Sequence, residues 1–172
     1  MKRMADEPIK TEMKEDLVIS RLIDAPVEMV WKAWTDPAQL KRWWGPKYYS
    51  SPSCKVELRE GGRFIFAMRA PADQGGQVSY TSGVYKKIVP MERLEFTQGL
   101  SDQEGNRIDP VTIGMPPDFP REIRTLVTFK RFRTDMTELT VTEYDWPVSQ
   151  MFVYSLAGMH QSLDKLIESL KK

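Results

Sequence analysis

The chain has 172 residues, enough for one domain that buries about 70% of its unfolded surface in a single core. Its 25 Lys and Arg residues nearly cancel its 24 Asp and Glu residues, which argues against strong attraction to nucleic acid or an anionic membrane. A single cysteine, Cys54, excludes an intrachain disulfide and any multi-cysteine metal site.

Residues 1–16 mix both charge signs and contain no apolar h-region, so they read as a disordered leader rather than a signal peptide or anchor. Residues 17–172 read as one domain. No run approaches the ~18 consecutive apolar residues of a membrane span, and a cytoplasmic location is expected. Leu17 to Ile23 reads as the first strand.

Two short helices then follow, over 26–35 and 37–43. Pro26 suits a first helical position, where its missing N–H has no intrahelical partner. Val27, Val30, Trp31 and Trp34 recur at i, i+3, i+4 and i+7, which makes one apolar stripe. Asp36 can cap the second helix, with Pro37 in its first turn. Leu40, Trp43 and Trp44 continue the apolar spacing until Gly45-Pro46 stops it.

Strand patterns occupy most of the remainder. Cys54, Val56 and Leu58 alternate with charged residues, the period of a half-buried strand. Glu60-Gly61-Gly62-Arg63 is a hairpin signal. Phe64, Phe66 and Met68 share one face of the return strand, and Pro71 to Gly76 is a loop. Gln77 to Val89 follows, with Gly83 as a candidate bulge. A turn at Pro90 to Arg93 leads into Leu94 to Gln98, and strands over Glu122 to Phe132 and Thr137 to Tyr144 follow, joined around Thr134-Asp135. The last element is a helix from about Pro147 to Leu170, capped by Asp145 or Ser149, with Phe152, Leu156, Met159, Leu163, Leu166, Ile167 and Leu170 on one face. Strand, helix pair, meander and long helix make an α+β order.

The helix pair, together with Trp43-Trp44-Gly45-Pro46, resembles the activator-of-Hsp90-ATPase-homologue branch of the START/Bet v 1-like superfamily. Gly61-Gly62, Gly83-Val84-Tyr85 before Pro90-Met91-Glu92-Arg93-Leu94, Gly158-Met159 and Leu163-Asp164-Lys165-Leu166 extend the resemblance from about residue 17 to the C-terminus. It implies a helix-grip fold, a curved antiparallel sheet wrapped around the C-terminal helix, with a cavity between them. As a guide to function it is weak, because this fold hosts lipid carriers, cyclases and co-chaperone domains.

With that fold, candidates for the cavity wall are Trp43, Trp44, Tyr48, Phe66 and Met68. Phe96, Phe129 and Met159 join them, each equally at home in an ordinary core. Tyr80 carries a phenolic O–H that would orient a ligand. Strict alternation puts Glu143 on the face of Leu139 and Val141; an inward carboxylate is costly unless paired or hydrated, so the expected position is the strand's end, past the core and within reach of water. His160, the one histidine, lies about 75° from the centre of the helix's apolar face, where a boundary residue is expected; in a lined cavity it would offer one hydrogen bond. Gly99 to Pro120 is long for a loop in a compact domain. Its first half is polar and reads as solvated. Its second half sets Val111, Ile113, Met115 and Phe119 among prolines, and reads either as a lid over the opening, with Met115 and Phe119 at its rim, or as a loop packed on its own sheet.

No phosphate loop, paired-histidine motif or nucleophile elbow is present, so no cofactor or metal is expected. The leading expectation is a carrier of a hydrophobic small molecule. The second reading, implied by the resemblance, is a co-chaperone that engages an Hsp90-type ATPase; because eukaryotic activators carry a further N-terminal domain where this chain has its charged leader, such a chaperone is not an expected partner. A cyclase- or dehydratase-like enzyme using Glu143, His160 or Tyr80 is a third reading. A homodimer is left open.

Overall fold

The computed structural model describes residues 13–171. Seven strands form one antiparallel sheet: β1 (Lys14–Ile23), β2 (Cys54–Val56), β3 (Arg63–Arg69), β4 (Val78–Val89), β5 (Arg93–Ser101), β6 (Ile123–Arg133) and β7 (Met136–Pro147). Their spatial order is β1-β7-β6-β5-β4-β3-β2. Helices α1 (Val27–Thr35) and α2 (Pro37–Trp43) follow β1, and α3 (Gln150–Ser169) ends the chain. This is the α+β helix-grip arrangement that the resemblance implies.

Several expected boundaries move. Residues 14–16 belong to β1 rather than to a leader, paired with the end of β7; residues 1–12 lie outside the described residues. Pro26 is the cap of α1, with extended ψ of 153°, and not its first helical residue. β2 stops at Val56 and Leu58 is exposed. Gly83 is no bulge: the register shift falls between Tyr85 and Lys87. Gly83 has another reason, because a Cβ there would run into the Thr97 carbonyl and the Phe64 ring.

The core lies on the inner face of the curved sheet. Val27, Val30, Trp31 and Trp34 of α1 are buried as the helical stripe requires. Trp31 meets Phe129 edge-on at 5.0 Å between ring centroids, and Trp34 meets Trp43 at 4.9 Å. Trp43 also donates its indole N–H to the Ala33 carbonyl at 2.9 Å. Asp36 accepts from the Ala38 N–H and so caps α2.

Ser149, not Asp145, caps α3, accepting from the Phe152 N–H at 3.2 Å. The helix is held unevenly along its length. Leu163 and Leu166 in its second half are fully buried, whereas Phe152, Leu156 and Met159 in the first half are only partly covered. That difference leaves room between the first half of α3 and the sheet.

Candidate ligand-binding groove

The room is a groove of about 400 Å³, open to solvent rather than sealed. Met68 of β3, Ser79 and Thr81 of β4, and Leu100 of β5 form part of its sheet wall. Met151, Tyr154, Gly158 and Met159 of α3 face them, and Trp44, Pro46 and Tyr49 close one side. Ile113, Met115, Phe119 and Pro120, from the segment between β5 and β6, close another.

A polar row interrupts this apolar surface. Gln98, Thr125 and Glu143 sit on adjacent strands β5, β6 and β7, with Thr125 directly opposite Glu143. The Gln98 amide donates to Thr125 Oγ1 at 3.0 Å and, at a longer 3.4 Å, to Glu143 Oε2. Trp146 donates its indole N–H to Glu143 Oε1 at 2.9 Å. Burial pushes the Glu143 carboxyl above its ordinary range, against the lowering effect of the Trp146 and Gln98 bonds. The expectation that Glu143 lies beyond the core is therefore corrected. β7 continues to Pro147 and β1 covers its flank, with Leu17 opposite Glu143.

Trp146 reaches this site through an irregularity. Strict alternation from Glu143 would turn Trp146 outward. Asp145 takes a left-handed φ of 60°, and the β1–β7 register shifts between Glu15 and Leu17. The extra residue flips the remaining side chains, and Trp146 is buried.

Lys165 fixes the opposite rim. Its ammonium donates to the carbonyls of Gly45 at 3.0 Å, Pro46 at 3.2 Å and Tyr49 at 2.9 Å. The stretch that carries Trp44, Pro46 and Tyr49 is thus tied to α3. Partial burial lowers the Lys165 pKa.

The first half of the 99–120 segment, expected to be solvated, is exposed at Gln103, Glu104, Asn106 and Arg107 and is held by its own hydrogen bonds. Asp102 accepts from the N–H groups of Asn106 at 2.8 Å and Glu104 at 2.9 Å, and the Asn106 bond leads the lowering of its pKa. The Gly105 carbonyl accepts from Arg63 at 2.8 Å and Ser82 at 3.2 Å. In the second half, Asp109 caps a 3₁₀ turn over Pro110–Ile113, and the Phe119 ring meets Trp146 edge-on at 5.6 Å.

Of the residues singled out in the sequence, the groove brings together Trp44, Met68, Met115, Phe119, Glu143 and Met159. The others lie elsewhere. Trp43, Phe66, Phe96 and Phe129 are buried core rings behind the groove wall; Phe66 supports Trp44 from 4.7 Å. Tyr48 is exposed, with a left-handed φ of 74° and the Lys47 ammonium 5.2 Å from its ring. Tyr80 pairs with Ala67, so alternation sends it to the face opposite Met68, and it lines an adjoining groove beside Ser101 and Asp102. His160 is exposed on the flank of α3, where the Arg21 guanidinium contacts its Nδ1 at 3.2 Å and its carbonyl at 3.0 Å. Arg21 also pairs with Asp164 at 2.9 Å, which ties that flank to β1.

Sequence reasoning missed Gln98, Thr125, Trp146, Tyr49 and Tyr154. For Gln98 the signal was present, since it follows Phe96 by two residues and shares its face. A more polar groove of about 580 Å³, walled by Arg121, Arg124 and Asp145, lies beyond Phe119; its charged rim is an ordinary solvated surface. Among the described residues no group of three or more His, Cys, Asp or Glu could hold a metal ion, and no helix is long and apolar enough to cross a membrane.

A curved antiparallel sheet around a C-terminal helix, with a groove between the two, defines the helix-grip (START/Bet v 1-like) class of proteins. Within that class the chain belongs to the activator of Hsp90 ATPase homolog 1-like family, whose model matches residues 24–171. The fold is similar to that of a Chromobacterium violaceum protein, with a TM-score of 0.71 at 24% identity over 91% of this chain and 97% of the other. It is also similar to the AHSA1 protein of Silicibacter pomeroyi, with a TM-score of 0.69 at 22% identity over 91% and 97% of the two chains. CalU16 of Micromonospora echinospora has a TM-score of 0.62 at 25% identity over 92% of this chain and 77% of its own. A comparison with curated proteins finds no match.

Proposed function

We propose that the protein binds an apolar small molecule in the groove between α3 and the sheet. The supporting observation is the uneven packing of α3, whose second half is buried in the core while its first half stands over a groove of about 400 Å³. That volume falls in the range of small-molecule sites, and an apolar wall with a few convergent polar groups is their usual make-up. The wall is built from Met, Trp, Tyr and Phe side chains, and methionine adapts to differently shaped ligands. The test is titration with the apolar dye Nile red, read by fluorescence and by native mass spectrometry. Saturable one-to-one binding to the folded protein is expected; no binding, or non-saturating uptake of several dyes, would overturn the reading.

The family's description supports a second reading, a domain that acts on an Hsp90-type ATPase. It predicts a change in the chaperone's ATP turnover on adding this protein, irrespective of any groove ligand.

A further inference from the structure

Among the residues that line the groove, Glu143 is the one with a carboxyl group; no Lys, Arg or His is on the wall. Its Oε1 is taken by the Trp146 indole at 2.9 Å, whereas among the described residues Oε2 has only the long 3.4 Å contact from Gln98, whose amide is better engaged with Thr125. Oε2 thus retains acceptor capacity, and so does the side-chain Oε1 of Gln98, whose amide nitrogen makes the bonds described for that residue. The same groove is lined by aromatic rings from three parts of the chain: Trp44 and Tyr49, Phe119, and Tyr154. Ring faces carry negative potential, so they attract cations and not anions.

We propose that the groove selects a lipophilic amine, with its ammonium or amine N–H on Glu143 Oε2 and its apolar body along the methionine and aromatic wall. This rests on the reading of the groove as a ligand site and names the class of ligand it takes.

Three physical reasons favour an amine over a fatty acid or a neutral alcohol. A carboxylate ligand would find no cation on the wall to offset the cost of burying its charge. An alcohol can donate to Oε2 but forms a weaker bond than a charged donor does. The usual objection to a buried ion pair is the cost of stripping water from both charges. Here burial keeps the proton on Glu143; an entering ammonium, which sends that proton to solvent, restores the carboxylate as its partner on a side chain already oriented by Trp146. Such preorganisation favours the partner that completes the pair.

The test is displacement of Nile red near neutral pH by three molecules that share one ring system: 1-naphthylmethylamine, 1-naphthalenemethanol and 1-naphthoate. The expected order of affinity is amine, alcohol, carboxylate, with the amine about tenfold or more ahead of the alcohol, the size of one charge-assisted hydrogen bond. In Glu143→Gln, which keeps an acceptor for Trp146, the amine-to-alcohol ratio should collapse to about one. The wild-type order decides the matter even if that variant does not fold. Equal affinities, or a preference for the carboxylate, would overturn the proposal while leaving the groove as a ligand site; failure of Nile red itself to bind wild-type protein would overturn both.

Discussion

The indole N–H of Trp146 and the Oε1 of Glu143 meet at 2.9 Å on the inner face of the sheet, three residues apart on a strand whose alternation should put them on opposite faces. The left-handed Asp145 makes the meeting possible. The bond fixes a carboxyl group on a largely apolar wall, where burial raises its pKa and the bond from Trp146 partly offsets the rise.

Stability should therefore carry a pH signature from Glu143. Burial raises its folded-state pKa above the ordinary 4.5, so the native state holds a proton that the unfolded chain has released. The stabilisation this gives is complete below 4.5 and is lost as pH rises through the raised folded value. Glu143→Gln removes the titration. Its melting temperature relative to wild type should climb as pH rises through that window and then level off. A difference independent of pH would mean that Glu143 is solvated.

Trp34 is buried against Trp43, and its indole N–H has no hydrogen-bond partner among the described residues. Trp34→Ala should cost ~3–5 kcal/mol in urea unfolding, the range for deleting a buried aromatic. Trp34→Phe should cost clearly less, because it keeps a ring and removes an unpaired donor. A loss below about 1 kcal/mol for the alanine variant would contradict the packing of the α1 stripe.

Lys165→Met leaves three carbonyls of the Gly45–Tyr49 stretch without their shared donor. The expected loss is about 1–3 kcal/mol, the penalty for stranding such acceptors. Nile red should also bind more weakly, since Trp44, Pro46 and Tyr49 lose their anchor to α3. Lys165→Arg, with its planar fork, should not restore the wild-type value. Urea titration and dye binding on the same samples check both effects.

Residues 111–119 should gain hydrogen-exchange protection on adding Nile red, with little change over 102–106. The second half of the segment reaches the groove through Ile113, Met115 and Phe119, and a ligand would add contacts to it. The first half is already pinned by Asp102 and by the bonds from Arg63 and Ser82 to Gly105. Uniform exchange throughout would make the segment a fixed wall.

How much of this was legible in the sequence depends on whether local periodicity or long-range register decides the outcome. The α1 stripe, the proline and aspartate at the α1–α2 junction, and the Ser149 cap are local signals, and each has its structural counterpart. Met68 and Met159 could be placed near the groove because the helix-grip resemblance says what faces what, whereas Met115 and Phe119 were marked by the length and proline-rich second half of their own segment. Tyr80 failed for want of strand register: its phase relative to Met68 is fixed only once Ala67 pairs with it. His160 lies on the flank, where its offset from the apolar face put it; its partner Arg21, 139 residues away, is what no local pattern could name. Trp146 was hidden by a single left-handed residue that no alternation pattern reports, and Glu143 was misplaced because β7 runs three residues past the expected end at Tyr144.

The central claim, that the space between the first half of α3 and the sheet is a ligand site, is tested most directly at Gly158. A Cβ there would lie in ordinary van der Waals contact with Pro46, 3.7 Å away, so a larger side chain can be carried by the helix and would occupy the groove. Replacing a helical glycine should stabilise the helix itself by about 0.5–1 kcal/mol. Nile red affinity should therefore fall at least tenfold in Gly158→Leu while the melting temperature holds or rises. Undiminished saturable binding in that variant would place the dye elsewhere and contradict the account.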